Sequence, residues 1–206
     1  MKEKSNDASL EEAVEALRSG EVIVFPTETL YGLAANALDP NAVNCVASLK
    51  GRNPNRPMPL IIADVKGLSE VARDIPPMAE TLMRRFWPGP LTLVLPAKKG
   101  LPAPLLNSDG RVGVRVSSHP VAAALARGLG SPITATSANP SGKAPARTVE
   151  EARRYFSARV RIFIDGGELQ GRQGSTVVAF PRDGLEIIRE GAVSAAAIAE
   201  ALAEGR

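Results

Sequence analysis

Apolar positions along this chain change period repeatedly, from helical spacing to short unbroken runs and back. Leu10, Ala13, Val14 and Leu17 share one face of a helix that Ser9 opens, Glu12 completes as a capping box and Gly20 closes. The following run, EVIVF, is rich in β-branched and aromatic residues and stops at Pro26, which predicts a strand. It leads into TETLYG, a polar turn that a core strand would not contain and the first candidate for chemistry. Asp39 as cap and Pro40 at the first helical position predict a second helix, carried by Val43, Val46, Ala47 and Leu49 to Gly51, with Lys50 at its C-terminal end.

After a proline-rich loop, PLIIA reads as a short buried strand, Pro77 to Phe86 as a helix ended by WPGP, and LTLVLP as another strand. VGVRV, VAAALARGL and PITAT continue as strand, helix and strand. A helix over 148–157, strands near 160–164, 175–180 and 185–189, and a terminal helix from Ser194 complete the pattern. This alternation predicts an α/β fold, a twisted mixed sheet with flanking helices, rather than a bundle or a sandwich. KKGLPAPLLNSDGR and NPSGKAPAR are the loosest stretches and read as surface loops flanking a site, not as linkers. With no internal repeat, 1–206 reads as a single domain with its core over about 10–190.

Composition narrows the chemistry. The one cysteine, Cys45, falls in a helical pattern and excludes an intramolecular disulfide or a multi-cysteine metal site, which suits a reducing, cytoplasmic setting. The polar start has no signal-peptide pattern, and no stretch reaches the roughly 18 apolar residues of a membrane span, so no membrane partner is expected. A net charge of +3 permits contact with nucleic acid or polyphosphate without requiring it. The one histidine, His119, stands in SSHPV just before a helix, where capping accounts for it; with so few members, the familiar triads and transition-metal clusters are excluded, although serine–lysine chemistry stays open. No GxxxxGK[ST] loop is present, and GGELQGRQGST lacks dinucleotide-fingerprint spacing. A bound nucleotide would have to be held by strand-end loops bearing lysine, arginine and hydroxyl groups.

Four segments in order, PTETLYG at 26–32, LKGR at 49–52 followed by PMPLI, WPGPLTLVL at 87–95 and TSANPSG at 136–142, resemble the YrdC-type threonylcarbamoyl-adenylate synthase family. GVRVSSHP, IDGG, GSTVV and IIREG follow the family's order too. The resemblance implies a YrdC-like fold with a concave basic face. It also implies a nucleotidyltransferase that condenses L-threonine, bicarbonate and ATP, carrying Mg²⁺, into threonylcarbamoyl-AMP and pyrophosphate for threonylcarbamoyladenosine in tRNA. Downstream threonylcarbamoyl-transferase proteins would consume the product. No metal ligands are implied. Where the longer two-domain members carry a histidine after PLI, this chain has Ala63, and it resembles the short members.

Carried over residue by residue, the resemblance assigns Lys50 and Arg52 as the catalytic cationic pair. It assigns Lys50, Arg52, Arg56, Ser137, Asn139 and Arg189 to ATP, and Thr29, Tyr31, Arg115 and Ser175 to threonine. Each has a plainer alternative. Lys50 and Arg52 also suit a solvated helix C-terminus, Ser137 and Asn139 a turn, and Tyr31 a half-buried place beside a polar turn. Arg115 and Arg189 also suit strand arginines paired with a structural carboxylate. The spacing from Lys50 to PL leaves open whether Arg52 or Arg56 meets phosphate, and Asp165 in IDGG reads as a turn former. No general base stands out. The competing functional readings are a module binding tRNA or double-stranded RNA, a carbamoyl-adenylate domain of the hydrogenase-maturation type, and a paralogue without threonine-dependent activity.

Overall fold

The computed structural model describes residues 8–51, 56–171, 173–181 and 184–204. The first helix, α1 (Leu10–Arg18), opens on the expected capping box: the Glu12 amide donates to the Ser9 hydroxyl at 3.1 Å, and the Ser9 amide to the Glu12 carboxylate at 2.8 Å. Asp39 likewise caps α2 (Pro40–Lys50), which Gly51 ends in the left-handed region at φ 54°. The remaining helices are α3 (Leu68–Val71), α4 (Pro77–Phe86), α5 (Pro120–Leu129), α6 (Val149–Phe156) and α7 (Ala195–Glu204).

Two sheets replace the one expected. The smaller has the order β7 (Thr136–Ser137), β2 (Gly32–Ala34), β1 (Ile23–Phe25), β8 (Ile162–Phe163). The larger runs β10 (Glu186–Arg189), β9 (Thr176–Ala179), β4 (Leu91–Pro96), β5 (Arg111–Val116), β3 (Leu60–Ile62), β6 (Ile133–Thr134), and it mixes parallel and antiparallel pairs. PITAT does not form one strand. Thr134 pairs with Leu60 in the larger sheet, while Thr136 pairs with Leu33 in the smaller, so the chain changes sheets at Ala135. The Thr134 amide donates to the Ala35 carbonyl, the Ala35 amide donates to the Thr134 hydroxyl, and a bridge between Asn36 and Ile133 completes the join between the sheets at this crossing.

One apolar cluster includes Val112, Val114 and Val116 of β5, Leu60 and Ile62 of β3, and α2 and α4 residues. A second packs α1 and α5 over Ile23, Phe25, Ile61 and Ile133. Gly128 permits the α1–α5 contact, since a Cβ there would lie 2.9 Å from Val14. The alternation of β5 therefore points its valines into the first cluster and Arg115 to the other face. The stretch KKGLPAPLLNSDGR is less loose than its composition predicts: Leu105 is buried, and the Met58 amide donates to the Pro104 carbonyl at 2.9 Å. Among the described residues no helix is long and apolar enough to cross a membrane.

Candidate active site

Buried polar side chains are unevenly distributed, and most gather where strand ends meet the 26–31 turn. Thr27, Thr29, Lys50, Arg115, Ser117 and Asn139 are all under 9% exposed. Such groups are costly to bury without partners, so their hydrogen bonds define the site.

The first group forms at the end of α2. The Lys50 ammonium donates to the Ser137 carbonyl at 2.5 Å, to Asn139 Oδ1 at 3.1 Å and to Ser137 Oγ at 3.3 Å. Lys50 is 4% exposed, which overturns the solvated-helix-end alternative for it. Asn139 also donates to the carbonyls of Pro140 and Lys143, and the Ser141 amide donates to the Lys50 carbonyl at 2.8 Å. The loop 139–143 is thereby tied to the helix end. Ser137 lies within β7 rather than beyond the strand.

The second group surrounds Arg115. Its Nη1 donates to Glu28, whose other carboxylate oxygen accepts from the Ser117 hydroxyl. Val114 pairs with Leu93, one residue from Thr92, and the Thr92 and Ser175 hydroxyls lie 2.8 Å apart. The Arg189 guanidinium donates to the Ser175 carbonyl at 2.7 and 3.2 Å, so its partner is a neutral backbone oxygen and not the carboxylate weighed above. Arg115 does have a carboxylate partner. Burial lowers the Arg115 pKa from its ordinary value, Glu28 opposes this, and Arg189 adds to the lowering.

The turn between β1 and β2 touches both groups. Glu28 reaches Arg115, while three residues on the Tyr31 carbonyl accepts from the Ala138 amide at 2.7 Å, beside Ser137 and Asn139. The Thr27 hydroxyl shapes the turn, accepting from the Thr29 and Leu30 amides and lying 3.0 Å from the Thr29 hydroxyl. Gly171 packs against Thr29 so closely that a Cβ would sit 2.2 Å from its carbonyl oxygen. Tyr31 is wholly buried, not half-buried. Its hydroxyl accepts from the Gly166 amide at 2.8 Å and donates to the Gly167 carbonyl at 2.9 Å, while Asp165 forms the expected turn by accepting from the Gly167 amide. Burial pushes the phenol up to about 12, so it stays neutral and serves as an anchor for the 165–167 turn.

Arg52 lies outside the described residues. Arg56 is exposed on the loop before Met58. Sequence reasoning missed Glu28, Ser117 and Thr92. Glu28 is the one charged residue of PTETLYG, and that was the available signal. A surface recess of about 280 Å³ beyond the end of β3, lined by Lys66, Glu70, Arg127 and Ser131 among others, contains none of these groups.

His119 caps α5 as expected: its Nδ1 accepts from the Val121 amide at 3.3 Å, which requires a neutral nitrogen there. Burial lowers its pKa, with Glu28 opposing. A depressed folded-state value means that the stabilisation is complete above the unfolded value of about 6.5 and is lost as pH falls below it towards the folded value. Urea midpoints should therefore begin to decline below about pH 6.5, and His119→Asn, which keeps a capping acceptor, should remove that part of the decline. A variant with an unchanged profile would show that His119 is not its source.

Comparison with known proteins identifies the family of the chain. The family model for Sua5, YciO and YrdC proteins, described as "Telomere recombination", matches residues 15–191. Over 191 residues the chain is 39% identical to a threonylcarbamoyl-AMP synthase of Bacillus subtilis, covering 92% of this chain and 55% of that protein. Over 206 residues it is 36% identical to a threonylcarbamoyl-AMP synthase of Pyrococcus abyssi, covering 100% of this chain and 61% of that one. The chain thus spans less than two thirds of the length of these two relatives. The crystal structure of P. abyssi Sua5 complexed with L-threonine superposes with a TM-score of 0.89 at 36% identity, over 95% of this chain and 58% of that one.

Proposed function

Because the chain belongs to the Sua5/YciO/YrdC family, we propose that it is an L-threonylcarbamoyladenylate synthase, condensing L-threonine, bicarbonate and ATP into threonylcarbamoyl-AMP and pyrophosphate. The observation that carries this reading is the pair of polar groups joined by one turn. One centres on the Lys50 ammonium with Ser137 and Asn139, the other on the Arg115 guanidinium with Ser175 and Arg189 nearby. A carbamate and a polyphosphate are both anions, and bringing them together requires fixed positive charge and orientation.

In the reaction, threonine's ammonium first gives up a proton to solvent, and the resulting neutral amine attacks bicarbonate to give the carbamate and water. A carbamate oxygen then attacks the α-phosphorus of ATP, and pyrophosphate leaves. Lys50 sits with the Ser137 hydroxyl and Asn139 amide to neutralise and orient phosphate oxygens, with Arg52, Arg56 and Arg189 as further phosphate ligands and Mg²⁺ arriving on the ATP. Arg115 takes the threonine carboxylate as a planar fork, with Ser175 and Thr29 beside it. Tyr31 acts through the turn it anchors. The product supplies threonylcarbamoyl transfer to tRNA next to the anticodon, by separate transferase proteins, in the cytoplasm.

The purified protein should release pyrophosphate from ATP only when both L-threonine and bicarbonate are present, followed with labelled threonine to identify the adduct. An apolar contact for threonine's methyl group should favour it over serine by about 1–3 kcal/mol. Equal turnover with glycine, serine or no amino acid would refute the assignment. Salt-sensitive binding of double-stranded RNA or tRNA without pyrophosphate release would favour the RNA-binding module instead.

A further inference from the structure

Arg115 and Glu28 form a buried ion pair at the place where an amino acid is expected, with side chains 5% and 13% exposed. A buried ion pair is weak evidence for stability, since apolar residues of the same volume do as well or better. The pair is also incompletely used. Arg115 makes one hydrogen bond, through Nη1, although a guanidinium has five N–H donors. No buried side-chain nitrogen or oxygen among the described residues is left without a partner, so its other nitrogens retain solvent contact. Glu28 accepts two bonds, one on each oxygen, where an ionised carboxylate has about four lone-pair sites.

We propose that Glu28 receives the α-ammonium of the amino acid whose carboxylate Arg115 receives, so that the ion pair is a prepared complement to a zwitterion. This rests on the threonine reading above and adds a residue that determines specificity. A guanidinium with Arg189 close enough to lower its pKa is an attractive site for any small anion. The co-substrate bicarbonate is a small anion, and without Glu28 it would compete for Arg115. Glu28 repels an anion that carries no cation and attracts one with an ammonium beside its carboxylate, which is discrimination by repulsion as well as attraction. Ser117 holds the carboxylate oxygen that Arg115 does not, fixing its position for that purpose.

The test measures binding of L-threonine and of (R)-3-hydroxybutanoate, which is threonine without its amine, by calorimetry. The wild-type protein should prefer threonine by at least about tenfold, the scale of one charge-assisted hydrogen bond. Glu28→Gln should weaken threonine by a similar factor and strengthen (R)-3-hydroxybutanoate, with ATP affinity measured without amino acid unchanged. Equal loss for both compounds would make Glu28 a support for Arg115 alone and overturn the proposal, as would a wild-type protein that binds both without preference. The wild-type comparison decides even if Glu28→Gln fails to fold. Glu28→Asp then gives the second reading, with threonine weakened and (R)-3-hydroxybutanoate not. If the wild-type protein ignores threonine but prefers another α-amino acid over its deaminated counterpart, the threonine assignment fails and the role of Glu28 stands.

Discussion

Lys50→Met should lower the rate of threonylcarbamoyl-adenylate formation at least about 100-fold, or about 2.7 kcal/mol, while threonine still binds. Methionine preserves the length and apolar stem of the side chain, so the variant removes the charge and its donors with little change of volume. Three neutral oxygens around Ser137 and Asn139 lose a donor. Ser137 Oγ still donates to Asn139 Oδ1 at 2.6 Å, which limits the damage to the loop. A loss of stability of about 1–3 kcal/mol is expected, because a buried acceptor is left unsatisfied. Lys50→Arg should not restore activity, since the ammonium is enclosed and a guanidinium needs more room. Turnover within threefold of wild type in Lys50→Met, measured under saturating ATP, would move the phosphate site to Arg56 and the segment before it.

The contrast between Lys50 and Glu28 explains how far the sequence could be read. Helix boundaries followed from local chemistry: Ser9 with Glu12, Asp39 with Pro40, and His119 with Pro120 all act within one turn of their own position. The family resemblance brought Lys50, Ser137 and Asn139 together in advance, and the folded chain joins them. The division into two sheets was hidden. Gly-Leu-Ala at 32–34 has no β-branched residue, and its glycine is required by the Phe25 ring, against which a Cβ would sit 2.8 Å away. PITAT has the composition of one strand, and only its partners, Leu60 on one side and Leu33 on the other, decide that it changes sheets. The Glu28 partnership spans 87 residues, so no local period or propensity could encode it. Asp165 and His119, whose roles are local, behaved as expected.

Arg115→Met should destabilise the protein by about 3–5 kcal/mol, because it leaves the Glu28 carboxylate in a largely desolvated place with its countercharge gone. Ile61, the register partner of Arg115 in the larger sheet, is wholly buried, so Arg115 stands at the edge of packed apolar structure where water compensates poorly. Adding Glu28→Gln to Arg115→Met should recover most of the stability, since the orphaned charge is removed and the amide can still accept from Ser117. Threonine binding should not recover, because neither change supplies a fork for its carboxylate. Arg115→Lys separates the two roles further: it keeps a positive charge near Glu28, so its stability should lie between wild type and Arg115→Met, while threonine affinity falls at least about tenfold for want of bidentate geometry. Denaturant midpoints and calorimetric titrations on the same four proteins read both quantities. A single variant as stable as wild type would mean that Glu28 does not depend on Arg115. A double variant that regains threonine affinity would mean that the carboxylate is held elsewhere, with Arg189 beside Ser175 the next residue to test.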